Sequence, residues 1–148
     1  MELTYKIIII IGIFIGLLRF RQTNPIFLKF ILIGYVLSFG MTFFKGYFPM
    51  SIAFYSFGIL TLLFIFYNVI NKKWLNSLIG FIVFISFTWS MMNWVNGNEI
   101  RLLAIIPILS FILILRNWKK YKNELSILTI LSIYELTEFI KLLEQLNN

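Results

Sequence analysis

The sequence predicts an all-α protein: a polytopic membrane helix bundle with five transmembrane helices and a C-terminal helix that is a candidate sixth span. Of its 148 residues, 60% are hydrophobic and only 13% are charged, whereas soluble domains carry about 25% charged residues. A single domain of this length has too small an interior to hide so much apolar surface from water. A bilayer removes that requirement, in agreement with the mean hydropathy of +0.91.

Apolar runs define the predicted helices. A span needs about 20 mostly apolar residues, because a helix rises about 1.5 Å per residue across about 30 Å of hydrocarbon. One membrane domain is predicted, with helices at about residues 3–18, 26–44, 51–70, 75–95, 102–115 and 124–146. Positive charge follows the first run instead of preceding it, so this run is predicted to stay as a helix and not to be a cleaved signal peptide. Pro107 is predicted to kink the fifth helix.

Positive charge is unequally divided between the two sides of the predicted bundle. The loops after helices one, three and five carry eight basic residues: Arg19, Arg21, Lys72, Lys73, Arg116, Lys119, Lys120 and Lys122. The other side has Lys45 and Arg101. Because cytoplasmic loops are enriched in Lys and Arg, the pattern predicts a plasma (inner) membrane protein with its N-terminus outside. It also explains the net charge of +7 without a nucleic-acid partner. The loop of residues 116–123 is in addition a candidate for contact with anionic lipid head groups.

The last helix is ambiguous. Its first half, from Leu125 to Tyr134, is apolar on every side, and its second half is amphipathic. Eleven strongly apolar residues between Leu125 and Leu143 favour insertion by about 5 kcal/mol in total, whereas two Glu and one Lys each oppose it by up to about 3 kcal/mol near the centre. The alternatives are a span that hides its charges in the bundle and a helix in the cytoplasmic interface. The apolar first half favours the span.

Insertion of this helix would put ionisable side chains inside the membrane. Glu135 lies eleven residues after Glu124, about 16 Å along the helix and therefore near the midplane. The fourth helix runs in the same direction and has polar residues at matching depths. The candidate intramembrane polar site consists of Glu135, Glu138, Ser86, Ser90, Asn93 and Lys6, the last as a residue that neutralises one glutamate. Intramembrane ionisable residues usually mark ion or proton sites, although Glu138 and Lys141 also fit a simple i,i+3 ion pair.

Small residues recur at a spacing of four in the first two helices. Gly12 and Gly16 form a GxxxG motif, and Gly34 with Ser38 repeats the spacing. Small residues let membrane helices approach closely. These candidate helix-packing residues fit either contacts within one chain or a dimer interface.

The residue types that are missing argue against catalysis. The chain has no Cys and no His, and all six acidic residues are Glu. A Ser–His–Asp or Cys–His arrangement cannot be assembled, nor can a zinc, iron–sulfur or His-ligated haem site. The sequence therefore predicts a protein that is not an enzyme and that binds no cofactor or metal.

Two classes of function remain, and both involve membrane lipids as partners. The one that the sequence favours is a non-catalytic subunit, scaffold or immunity-type partner of other membrane proteins or of further copies of the chain. The alternative is a small oligomeric cation- or proton-coupled transporter or channel that uses Glu135 and Glu138. A transporter should place polar residues from several helices around one cavity, whereas a partner protein should expose an apolar groove on its outside.

Overall fold

Seven α-helices make up most of the residues that this computed structural model describes, which are 2–43, 50–92 and 97–146. Their bounds are α1 Glu2–Leu18, α2 Ile26–Phe43, α3 Met50–Ile70, α4 Trp74–Met92, α5 Gly97–Leu102, α6 Ile105–Arg116 and α7 Leu125–Leu146. A 3-10 turn, Phe20–Gln22, follows α1, and these residues contain no strand. The predicted all-α class is confirmed.

Three helices, α2, α3 and α4, are long and apolar enough to cross a membrane, with mean hydropathies of 1.9, 1.9 and 1.6 over their most apolar stretches. In α1 the apolar segment Thr4–Leu18 is shorter. By contrast, α7 has 22 residues but carries four charged side chains in its second half. The three apolar helices are compatible with a membrane protein.

The observed helices begin and end within a few residues of the predicted bounds wherever both ends are described, with one exception. Several predicted features lie wholly or partly outside the described residues. They are the loops near residues 45–50 and 96–99, the end of the fourth predicted helix, Lys45 and the site candidate Asn93. The exception is the fifth predicted helix, which the structure divides into α5 and α6 and which begins at Gly97 instead of residue 102.

The break between α5 and α6 lies at Leu103 and Ala104, one turn before Pro107. Proline has no N–H to donate to the carbonyl four residues earlier, here that of Leu103, and its ring crowds that carbonyl. Tighter bonds replace the missing one: Leu103 N–H donates to Ile100 O at 2.9 Å, and Ile106 N–H donates to Leu103 O at 3.0 Å. The kink predicted at Pro107 is therefore found in the preceding turn, as the position of the lost hydrogen bond requires.

The ambiguous last helix, α7, is the centre of the bundle. It packs against α1, α2, α4, α5 and α6, and twelve of its 22 residues are buried. On one side α2, α3 and α4 form a row in which each helix packs on the next, and α1 covers α7 on the other side. Large apolar side chains point outward from the surrounding helices, for example Phe14, Phe30 and Phe66, each more than 60% exposed. Soluble proteins rarely expose so much apolar surface.

The contacts of α7 also define the directions of its neighbours. Gly12 of α1 approaches Ile133, and Gly16 approaches Ile130, so α1 and α7 are antiparallel. In contrast, Lys73, directly before α4, pairs with Glu124, directly before α7, and Ser86 further along α4 contacts Glu135 further along α7. Because these contacts advance in the same direction along both helices, α4 and α7 are parallel.

One end of the bundle, which we call the basic end, gathers the loops after α1, α3 and α6. Thr23 Oγ1 and Ser126 Oγ share a hydrogen bond at 3.0 Å, and Lys73 Nζ pairs with Glu124 Oε1 at 2.6 Å. The loop after α6 leads directly into α7 at this same end. The eight basic loop residues named above therefore lie together at one end, and Arg101 lies toward the other.

Candidate functional site

Glu135 is fully buried between α4 and α7. Ser86 Oγ donates a hydrogen bond to Glu135 Oε2 at 3.3 Å, while Glu135 Oε1 has no hydrogen-bond partner among the described residues. The pair forms because α4 and α7 run in parallel from the basic end, which puts Ser86 and Glu135 at the same depth. The result is an enclosed carboxyl group with one oxygen that can accept a proton.

Glu138, one turn further along α7, is held by two cations. Lys141 Nζ lies 2.5 Å from Oε1, and Arg101 Nε lies 3.3 Å from Oε2. Only 4% of Glu138 is exposed, whereas the side chains of Arg101 and Lys141 are 23% and 33% exposed. The Arg101 contact joins α5 to α7. Glu138 is therefore buried and paired with two partly exposed cations, whereas Glu135 receives its described hydrogen bond from Ser86.

Polar contacts continue from Glu138 toward the end opposite the basic end. Arg101 Nη1 donates to Gln145 Oε1 at 2.8 Å, and Lys141 Nζ lies 5.3 Å from the centre of the Tyr5 ring. The Tyr5 hydroxyl donates a hydrogen bond to Glu144. Polar side chains in the second half of α7 thus contact side chains of α1 and α5.

The remaining residues of the predicted site are Ser90, Lys6 and Asn93. Ser90 is exposed but lines a small cavity together with Ser86 and Glu138. Lys6 is half-buried on α1, and the ion pairs described at Glu138 are those with Arg101 and Lys141. Asn93 lies outside the described residues.

A cavity of about 280 Å³ opens next to this site, between α1, α2, α3, α4 and α7. Its polar lining comes from three helices and consists of Ser38, Thr42, Ser90, Glu138 and Lys141. Ser38 Oγ and Thr42 Oγ1 donate to carbonyl groups of their own helix at 2.9 and 2.7 Å. Since these residues lie near the end of α2 or in the second half of α7, the cavity is on the side opposite the basic end.

Aromatic rings form most of the remaining wall of the cavity. They are Phe39, Phe54, Phe57, Phe87 and Tyr134. Phe57 is the hub of this cluster: its ring centre lies 4.5 Å from Phe87, 5.3 Å from Phe39 and 5.5 Å from Tyr134. The rings meet at tilted or T-shaped angles, so the cluster presents ring faces as well as edges.

Sequence analysis missed these aromatic residues and the two partners Arg101 and Tyr5. Seventeen Phe in an apolar chain give no signal that five aromatic rings from four helices share one cavity. Arg101 was assigned only to a loop, because its approach to Glu138 depends on the break before Pro107. One feature of the sequence indicates the Arg101 contact: its positive charge lies at the same end of the predicted bundle as the negative charge of Glu138.

An apolar groove of about 290 Å³ runs along the outside of α3 and α4. Tyr55, Ile59 and Leu62 form one side of it and Phe84 and Met92 the other. Gly58 lies between them, and a Cβ atom there would still be 3.8 Å from Phe84. Three residues line both this groove and the cavity and therefore separate them: Phe54, Phe87 and Met91.

The candidate packing residues pack within the chain. Gly12 and Gly16 face α7, and Gly34 faces Leu60 of α3. Ser38 lines the cavity. The surfaces of Gly12 and Gly16 are buried, so α7 of the same chain takes the place that a dimer partner would need.

Some of the other buried polar side chains are paired between neighbouring helices. Asn76 Nδ2 donates to Asn68 Oδ1 at 3.0 Å, and the Tyr35 hydroxyl donates to Thr61 Oγ1 at 2.9 Å. Within residues 2–43, 50–92 and 97–146, no three carboxylate, imidazole or thiol groups are close enough together to hold a metal ion.

Comparison of the chain with protein-family models, with curated proteins and with solved structures gave no match.

Proposed function

We propose that the chain is a small multipass membrane transporter that couples movement of a solute to proton binding at Glu135. The observation that carries this proposal is the fully buried Glu135, with one oxygen unpartnered, beside a cavity whose polar lining comes from three helices. A cavity of this kind is what distinguishes a transporter from a protein that only contacts other proteins.

The proposed arrangement has six passes: α1, α2, α3, α4, the pair α5–α6, and α7. Residues 97–116, which contain α5 and α6, would reach about 30 Å as a helix and so match the hydrocarbon thickness. The burial of Glu135 and Glu138 in the bundle removes the main objection to insertion of α7. The gathering of basic loops at one end supports an outside N-terminus in the plasma membrane.

The chemistry follows from what it takes to bury a carboxylate. An unpaired carboxylate in an apolar environment is unfavourable by several kcal/mol, and binding of a proton removes that charge. Ser86 supplies one hydrogen bond, which fixes the orientation of the carboxyl group. A positively charged solute in the adjacent cavity would compete electrostatically with that proton, and this competition is the coupling we propose.

The test is proton movement in proteoliposomes with a pH-sensitive dye in the lumen. Gradients of Na⁺, K⁺ and small organic cations are imposed in turn, and the lumenal pH is followed. We expect a protein-dependent pH change that falls about tenfold or more in Glu135→Gln, because loss of an intramembrane proton carrier removes the coupled step. Glu99→Gln is the matched control, since Glu99 is exposed on α5. Equal proton movement in the Glu135→Gln variant, or none with any gradient, contradicts the proposal.

A second function is favoured by the outer groove of α3 and α4. Its apolar lining would suit a helix of another membrane protein or of a second copy, as for a subunit, scaffold or immunity-type partner. In that case Glu135 has only a structural role, and neither the wild type nor Glu135→Gln moves protons under any gradient. The same experiment thus separates the two functions.

A further inference from the structure

The aromatic cavity next to Glu138 has the features of a site for an organic cation. Ring faces carry negative charge density and attract ammonium groups, most strongly where water is excluded. Here five rings surround a space of about 280 Å³, and the carboxylate of Glu138 lies in the same lining. Phe57 within this cluster is 3% exposed and Phe87 is 8% exposed, so these rings are shielded from water.

The charges in the lining distinguish a cation from an anion. Lys141 and Glu138 both line the cavity, so it contains one charge of each sign. An anion attracted to Lys141 would meet the negative ring faces and the Glu138 carboxylate. A cation meets favourable partners in both. It is opposed by Lys141, whose side chain is long and one-third exposed, and by Arg101, which pairs with the other Glu138 oxygen from outside the cavity lining.

Lys141 already shows how an ammonium group is held at this position. Its Nζ lies 2.5 Å from Glu138 Oε1 and 5.3 Å from the centre of the Tyr5 ring, between a carboxylate and an aromatic ring. Glu144 lies three residues further along α7, within reach of Lys141 on the helix surface. Lys141 can therefore turn toward Glu144 and leave Glu138 Oε1 to a ligand, while Arg101 keeps Oε2.

We propose that the cavity binds a small amine or quaternary ammonium compound with an apolar body, and that its cationic group replaces the Lys141 ammonium at Glu138. The inference rests on the proposed function, because it names the class of solute that would be transported. The Lys141 ammonium group competes with the ligand for Glu138 Oε1, so removal of this ammonium group strengthens ligand binding.

The experiment is isothermal titration calorimetry of the full chain in a maltoside detergent, with benzyltrimethylammonium as the cation and phenylmethanesulfonate as an anion of similar shape. We expect the cation to bind, and the anion not to bind. Lys141→Gln should tighten cation binding and Glu138→Gln should weaken it, each by about tenfold, as expected for one charged contact. Lys29→Gln makes the same charge change in α2, away from the cavity lining, and should have no effect.

A conservative variant keeps the test valid if Glu138→Gln does not fold. Phe54→Leu removes a half-buried ring of the lining but retains an apolar side chain, and it should weaken cation binding several-fold through loss of the cation–π contact. Circular dichroism verifies that each variant is folded.

Three outcomes overturn the inference: binding of phenylmethanesulfonate that Lys141→Gln abolishes, no binding of either compound, and equal binding in all variants. Failure of this site and failure of the proposed function give different results. If the cation binds but drives no proton movement in proteoliposomes, the transporter proposal fails and the site stands. If Na⁺ or K⁺ alone drives proton movement and no organic cation binds, the transporter proposal stands and the site fails.

Discussion

At the scale of single residues, small side chains determine how closely α1 and α7 approach. A Cβ atom at Gly16 would lie 2.9 Å from Ile130 Cγ1 and 3.1 Å from the backbone oxygen of Ser126. The side chain of Ile130 can move, but a backbone oxygen within a helix cannot move without displacing the helix. Gly40 of α2 is different, because a Cβ atom there would meet no atom of the described residues within 4 Å.

We therefore expect Gly16→Ala to destabilise the protein by about 1–3 kcal/mol, the usual effect of overpacking. Gly40→Ala is the matched control and should be neutral or stabilising by up to about 1 kcal/mol, since alanine favours the helix. Thermal unfolding in detergent measures both. A Gly16→Ala variant as stable as the wild type would show that α1 can shift on α7 and that the close approach is not needed.

At the scale of elements, α7 is fixed at its start by one charged contact with the loop between α3 and α4. Glu124 is fully buried directly before α7, and Lys73 Nζ pairs with its Oε1 at 2.6 Å. Glu124 Oε2 has no described partner. Removal of Lys73 alone would leave a buried carboxylate without its counter-charge.

For this reason Lys73→Met should destabilise the protein by about 3–5 kcal/mol, the usual result of removing one partner from a buried ion pair. Lys72→Met makes the same change in the adjacent exposed residue and should alter stability by less than about 0.5 kcal/mol. Glu124→Gln should recover most of the loss when combined with Lys73→Met. Chemical denaturation of the wild type, Lys73→Met, Glu124→Gln and the double variant completes a double-mutant cycle. Additive effects of the two substitutions would show that Lys73 and Glu124 are not coupled.

At the scale of the whole molecule, α7 runs from the basic end of the bundle to the opposite end. If α7 crosses the membrane, these two ends lie on opposite sides of it. The chain has no Cys, so single cysteines report accessibility without background. Lys119 is exposed at the basic end, and Leu146, 68% exposed, lies at the far end of α7. A span of α7 requires these two positions to be on opposite sides.

We expect Lys119→Cys to react with a membrane-impermeant thiol reagent only after the cells are opened, and Leu146→Cys to react in intact cells. Asn71→Cys, in the loop after α3 at the basic end, is the control and should behave like Lys119→Cys. Labelling of Leu146→Cys and Lys119→Cys from the same side would mean that α7 does not cross the membrane, and the six-pass arrangement would be wrong.

The sequence was sufficient for properties that depend on composition and on spacing along one helix. Apolar runs predicted an all-α chain and the bounds of most helices, because burial of apolar surface and backbone hydrogen bonding act locally along the chain. The depth match of Ser86 with Glu135 was also predictable, since two helices that start at the same end and rise equally per residue keep their register. Proline chemistry predicted the disturbance of the fifth helix, although not its position one turn earlier.

Only the tertiary structure decided that α7 is the centre of the bundle, that Arg101 pairs with Glu138, and that five aromatic rings share one cavity. These features depend on which helices become neighbours and on how each is rotated about its axis. In a chain that is apolar on nearly every face, one rotation hides about as much apolar surface as another, so hydrophobicity alone does not select among them. Close contacts at glycines and a few buried polar pairs make that selection, and both exist only once the helices have packed.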